Sequence, residues 1–328
     1  MRKNKPRVTN QLTHTLYMGL LLLLLLAVAP TTYAGHSEYS GLIVFGDSLS
    51  DPGNAYAITG QEAVAPYDVV PSAAYAIGGH HFSNGKTYVE KLARSIHLNS
   101  SAKAAFDPEL AKATNYAVGG ARARTGTTSI DMTTQVGAFL SDVGGSAPAD
   151  ALYVIWLGGN DIRDALGAAF IDPTLATSFA ILNDAVTTEA ANIGALVASG
   201  ATRFLILNAP NLGVVPAVTA LGPGAVGAAV AFSAGYNDGL DTALDGLELF
   251  FPGIEITRFD AFSFLSAVVA DGPAYGLPNT LMPCLTFGVI EDAVCDKPKS
   301  YLFWDGIHPT TATHGVLAAE LETVLDGA

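Results

Sequence analysis

Four short apolar runs, Leu42 to Phe45, Leu152 to Leu157, Phe204 to Leu207 and Ile254 to Ile256, are each bounded by Gly, Asn, Asp or Pro. Such runs read as strands buried on both faces. Between them lie longer stretches with helical character, Tyr88 to Ile96, Thr174 to Ala198, Ala225 to Leu249 and Thr311 to Leu325. The alternation predicts a mainly parallel sheet covered by helices on both sides, a doubly wound α/β architecture. In such folds ligands bind outside the carboxyl ends of the strands, so the residues just after each strand carry the chemistry.

Those positions hold small, hydroxyl or amide-bearing residues. The first strand runs into Gly46-Asp47-Ser48-Leu49-Ser50-Asp51, and the segment Thr114 to Ala117 runs into Val118-Gly119-Gly120. The second strand runs into Gly158-Gly159-Asn160-Asp161. Near the carboxyl end comes Trp304-Asp305-Gly306-Ile307-His308-Pro309-Thr310, with Thr310 placed to cap the last helix.

The amino terminus follows a different pattern. A basic stretch precedes an apolar run from Leu16 to Ala29, then Pro30-Thr31-Thr32-Tyr33-Ala34. This is the layout of a secretory signal peptide over residues 1–34, with cleavage expected after Ala34, and the apolar run is short for a spanning helix. No lipobox cysteine follows it, so no stable membrane anchor is expected. No repeat, linker or charge block divides the remainder, which is expected to form one domain over residues 35–328 and to act as a monomer.

Composition narrows the partners. The chain has 16 basic and 30 acidic residues, and all four basic residues of the leader are lost with it. A strongly acidic mature surface repels phosphate backbones and anionic lipid headgroups, which argues against nucleic-acid binding. Cys284 and Cys295 fall in the exported part, where a disulfide is the natural expectation. No metal and no cofactor are expected, since two cysteines without a nearby His cannot complete a zinc shell.

A serine hydroxyl becomes a nucleophile only when a base takes its proton and a third group orients that base. Ser48, His308 and Asp305 can fill these roles, Asp305 holding His308 through Nδ1 and leaving Nε2 for Ser48. The oxyanion donors are expected from the N–H of Ser48, the N–H of Gly119 or Gly120, and the side-chain amide of Asn160. Spacing does not choose between the two glycines. Ser50 is the alternative nucleophile, Asp47 and Asp51 read as caps or braces, and His80 and His81 stand adjacent in a Gly-rich loop. Gly85-Lys86-Thr87 ends like a phosphate loop but has His80 where a glycine is needed, and the G-x-S-x-G elbow is absent because Ser50 occupies its second glycine position.

Gly46-Asp47-Ser48-Leu49-Ser50-Asp51, Asn115-Tyr116-Ala117-Val118-Gly119-Gly120, Gly158-Gly159-Asn160-Asp161 and Asp305-Gly306-Ile307-His308-Pro309 together resemble the four ordered blocks of the GDSL, or SGNH, family of esterases and lipases. Phe82-Ser83-Asn84-Gly85-Lys86 and Asn208-Ala209-Pro210-Asn211-Leu212-Gly213 are similar to the branch of plant GDSL lipases and bacterial secreted phospholipase, lecithinase and hemolysin-like proteins. The resemblance implies a flavodoxin-like three-layer α/β/α sandwich. It also implies hydrolysis of carboxylic esters through an acyl-enzyme on Ser48, with Gly120, Asn160, His308 and Asp305 as partners. The competing class is an exported lipid- or carbohydrate-binding protein whose hydrolase site no longer turns over. The ester itself, and periplasm against medium, are not readable from the sequence.

Overall fold

Strands β1 (Leu42–Gly46), β2 (Leu152–Trp156), β3 (Arg203–Leu207) and β4 (Glu255–Phe259) pair in that order, every pair parallel, with Leu42, Leu152, Arg203 and Glu255 in register. The computed structural model describes Met1 and residues 38–60, 80–126, 130–286 and 294–327, so the expected leader beyond Met1 lies outside the described residues. Residues Ser37 to Ala328 form one compact unit, to which everything below refers.

The free edge of β1 carries a further parallel segment. Val44 N donates to Thr114 O, Tyr116 N to Val44 O and Val118 N to Gly46 O. Counted second in chain order, this segment gives the flavodoxin-like order 2-1-3-4-5. The direction of winding reverses between β1 and β2, which places the segments following β1 and β2 on either side of the crevice where such folds bind ligands.

Alternate side chains of each strand feed two apolar layers. Ile43, Phe45, Tyr153, Ile155, Phe204 and Ile206 face one of them. The helices α3 (Met132–Asp142), α4 (Gly159–Ala169), α5 (Ala176–Ala198) and α7 (Pro223–Phe250) cover this side. Leu42, Val44, Leu152, Val154, Trp156, Leu205 and Leu207 face the other, under α2 (Tyr88–Ser95) and α9 (Thr311–Asp326). The result is the expected three-layer sandwich. The short helices α1 (Asn54–Thr59) and α6 (Pro216–Thr219), together with α8 (Ala261–Ala270), complete the upper rim.

The four expected helices form within two residues of their expected bounds, for local reasons. Thr87 and Glu90 make a reciprocal capping box on α2, Pro223 opens α7 at a position that needs no donor, and the Thr310 side chain accepts from Thr313 N at the start of α9. Helix α4 is not legible in the sequence because it begins with Gly159-Asn160-Asp161, residues that favour turns. It persists because Ile162, Ala165 and Leu166 are buried against the sheet. At the carboxyl end, β5 (Asn279–Pro283) and β6 (Tyr301–Phe303) form a parallel pair, and a disulfide joins Cys284 to Cys295 directly after β5.

Candidate active site

Ser48 stands in a turn closed by Ser50 N donating to Asp47 O, at the carboxyl end of β1. Helix α1 starts only at Asn54, so the turn is not the first turn of a helix. The Ser48 hydroxyl donates to His308 Nε2 at 2.8 Å, and His308 Nδ1 donates to Asp305 Oδ2 at 2.7 Å. Asp305 is fully buried, and its other oxygen accepts the N–H groups of Ile307 and His308, each at 2.7 Å. The carboxylate thus fixes both the ring and the backbone that carries it.

The loop holding His308 is tied at several points. Trp304 N donates to His308 O and Thr310 N to Leu302 O. The Phe82-to-Lys86 stretch braces it from outside: Ser83 Oγ donates to Pro309 O, Asn84 Oδ1 accepts from Thr311 N, and Thr311 Oγ1 donates to Lys86 O. This is the physical role of that stretch, whose motif alone did not disclose it.

The structure separates the two glycines. Gly119 N donates to Asp51 Oδ2 at 2.7 Å, and a Cβ on Gly119 would lie 2.2 Å from the Phe82 ring. Gly120 adopts φ +80°, a conformation natural to glycine, and its N–H has no acceptor among the described residues. The N–H of Ser48 is likewise without an acceptor among them.

Asn160 opens α4. Its Nδ2 donates to Ala121 O at 2.9 Å and to Asp47 Oδ2 at 3.3 Å, while its Oδ1 accepts from Arg163 Nη1 at 3.1 Å. The preceding Gly158 has φ +91°, and a Cβ there would meet the Tyr236 ring at 2.5 Å. Sequence reasoning missed Arg163. An Asn and an Arg three apart on a helix would have pointed to it, had α4 been legible.

Asp47 and Asp51 both act as braces. Asp47 accepts from Leu49 N and Asn160, linking the Ser48 turn to α4. Asp51 accepts from Gly53 N, Asn54 N, Ala55 N and Gly119 N. Burial pushes each carboxyl up to about 6 despite these donors. Asp161, under Ala123 N and the Arg124 guanidinium, is raised to about 6 for the same reason. Ser50 is fully buried with its hydroxyl against Tyr88 OH at 3.0 Å, away from His308. His81 pairs with Glu90 at 2.6 Å, and His80 stacks on Tyr56.

A cleft borders Ser48, Asn160 and His308 and runs past Trp156 at the end of β2 and Pro210 in the loop after β3. Its wall beyond the polar end is apolar. Among the described residues no helix is long and apolar enough to cross a membrane.

A family model described as GDSL-like lipase/acylhydrolase matches residues 42–321. The chain is 28% identical over 326 residues to a GDSL esterase/lipase of Arabidopsis thaliana, covering 88% of this chain and 89% of that one. A second Arabidopsis GDSL esterase/lipase is 26% identical over 348 residues, covering 93% and 94% of the two chains. Lipase 1 of Photorhabdus luminescens is 24% identical over 369 residues, covering 92% of this chain and 52% of that protein.

Proposed function

We propose, from the premise that this chain belongs to the GDSL-like lipase/acylhydrolase family of ester-bond hydrolases, that it is an exported carboxylic ester hydrolase working through an acyl-enzyme on Ser48. The observation that carries this reading is the continuous chain of hydrogen bonds from Ser48 through His308 to buried Asp305, at 2.8 Å and 2.7 Å. Ser48 Oγ attacks the ester carbonyl carbon as His308 Nε2 takes its proton. Asp305 keeps the ring in the tautomer that leaves Nε2 free to accept and offsets the imidazolium charge that forms.

The carbonyl oxygen becomes an oxyanion facing three donors: Ser48 N–H, Gly120 N–H and the Asn160 amide. Of the two N–H groups of Asn160, the one on Asp47 at 3.3 Å is the weaker tie and the one exchanged for the oxyanion. Collapse breaks the ester C–O bond, and the alcohol leaves with the proton from His308. Water then enters by the reverse sequence, releasing the carboxylic acid and restoring Ser48. Export is supported by the leader pattern of residues 1–34 and by the disulfide between Cys284 and Cys295.

Titration with a serine-directed organophosphonate, followed by mapping of the adduct, tests the nucleophile. Stoichiometric labelling at Ser48 and loss of ester hydrolysis in Ser48→Ala are expected. Labelling elsewhere, or more than a few per cent residual activity in the verified variant, would overturn it.

A further inference from the structure

Phe82 belongs to the brace around the His308 loop, yet none of the hydrogen bonds of that brace uses its side chain. Its two neighbours are pinned. His81 Nε2 meets Glu90 Oε2 of α2 at 2.6 Å, and Ser83 Oγ donates to Pro309 O at 2.9 Å. The ring held between them is half-buried and touches both halves of the site. It lies so close to Gly119 that a Cβ on that residue would come within 2.2 Å of it. Its centroid is 5.5 Å from that of the His308 imidazole, with the two planes tilted by 40°.

Resting on the reading of Ser48 as nucleophile and His308 as its base, we propose that Phe82 is a positioning residue whose ring stabilises the positive charge that His308 carries once it has taken the proton of Ser48. The π electrons of a phenyl ring attract a cation lying within about 6 Å of the ring centroid. They do far less for the neutral imidazole that precedes the attack. An interaction stronger in the transition state than in the ground state lowers the barrier and leaves substrate binding alone. Asp305 offsets the same charge through Nδ1, and Phe82 adds to it without a hydrogen bond, so that Nε2 is left to Ser48. Because His308 is only 4% exposed, water screens the attraction little.

Fluorination tests this, because it drains charge from the ring face and changes the ring's size little. Phenylalanine carrying one, two or three ring fluorines is incorporated at position 82 of the full chain, and the pre-steady-state acylation rate is followed against 4-nitrophenyl acetate concentration. The maximal rate is expected to fall stepwise, reaching a loss of about fivefold to thirtyfold at three fluorines, while the half-saturating concentration stays in place. Phosphonylation of Ser48 builds the same imidazolium and should slow in proportion. A flat or rising series would overturn the proposal, since a ring that only fills space packs as well or better when fluorinated.

Two ordinary variants give an independent reading. Phe82→Leu keeps apolar bulk without the π face, and Phe82→Tyr keeps both. The first is expected to lower the acylation rate about fivefold to thirtyfold and the second by roughly threefold less than the first. Equal losses in the two folded variants would overturn the role of the ring. If the unaltered protein neither hydrolyses esters nor is labelled at Ser48, the hydrolase reading is lost and the proposal for Phe82 falls with it. Hydrolysis through Ser48 with a flat fluorine series keeps the hydrolase and overturns only the role of Phe82.

Discussion

Asp51 Oδ2 accepts the N–H of Gly119 at 2.7 Å, a bond that spans 68 positions of the chain, while the next N–H, on Gly120, has no acceptor among the described residues. One carboxylate therefore binds the turn after β1 to the end of the edge segment. Because the same carboxylate also accepts from Gly53, Asn54 and Ala55, the loop bearing Ser48 and the loop bearing Gly120 share one anchor.

Asp51→Ala strands four buried or half-buried N–H groups. We expect stability to fall by about 3 kcal/mol and kcat to fall at least tenfold as Gly120 loses its aim, with a smaller change in KM. Asp51→Asn keeps one acceptor oxygen and should lie between the two. Urea melts and steady-state kinetics on a soluble short ester check this. An unaltered kcat in folded Asp51→Ala would show that Gly120 does not depend on the anchor.

Asp305→Asn replaces the acceptor that fixes His308. The amide still fills the space, but it can present an N–H to Nδ1 and turn the ring to the wrong tautomer. The expected loss in kcat is about 10³- to 10⁴-fold, while the melting temperature moves far less. Equal proportional losses of activity and folded protein would instead assign Asp305 to stability alone.

Reduction of the disulfide should be felt first at the catalytic loop. Cys284 N donates to Phe303 O and Leu285 N to Trp304 O, so the bridged segment is hydrogen-bonded to the residues that lead into Asp305. Closing so short a loop contributes about 3 kcal/mol at most. We expect reduced protein to lose activity several degrees below its own global melting. Coincident loss of activity and structure would confine the bridge to general stability.

Buried acids set the pH dependence of folding. Asp47, Asp51 and Asp161 are raised to about 6 and Glu189 to about 7, each chiefly by burial. Between the ordinary carboxylate range and these values the folded chain binds more protons than the unfolded one, so stability falls as pH rises through the window. Melting temperature should therefore be higher at pH 5 than at pH 8. Below about pH 4 the trend reverses, because Asp164 and Asp260 are held below their ordinary value by Arg122, Arg124 and neighbouring donors. A melting temperature that rises from pH 5 to pH 8 would contradict the assignment of these carboxyls as buried acids.

The sequence by itself determined the alternation of strands and helices, because the apolar runs of β1, β2 and β3 are buried on both faces and the helices between them pack on the sheet; β4, also expected to be buried, is an edge strand that is mostly half-exposed. It also singled out Ser48, Asn160, Asp305 and His308 as candidates, since strand ends in such a fold converge on one crevice and the four ordered blocks around them resemble one hydrolase family. It did not reveal α4, whose glycine, asparagine and aspartate favour turns until the sheet buries Ile162, Ala165 and Leu166. Only the tertiary structure tells Gly119 from Gly120, because the difference lies in a hydrogen bond from Gly119 to Asp51 and not in either glycine's neighbours. It alone turned Ser50 away toward Tyr88 and brought Arg163 to Asn160. The apolar cleft was equally hidden, since Trp156, Phe264 and Leu317 belong to elements far apart in sequence and become one wall only when α8 and α9 pack over the strand ends.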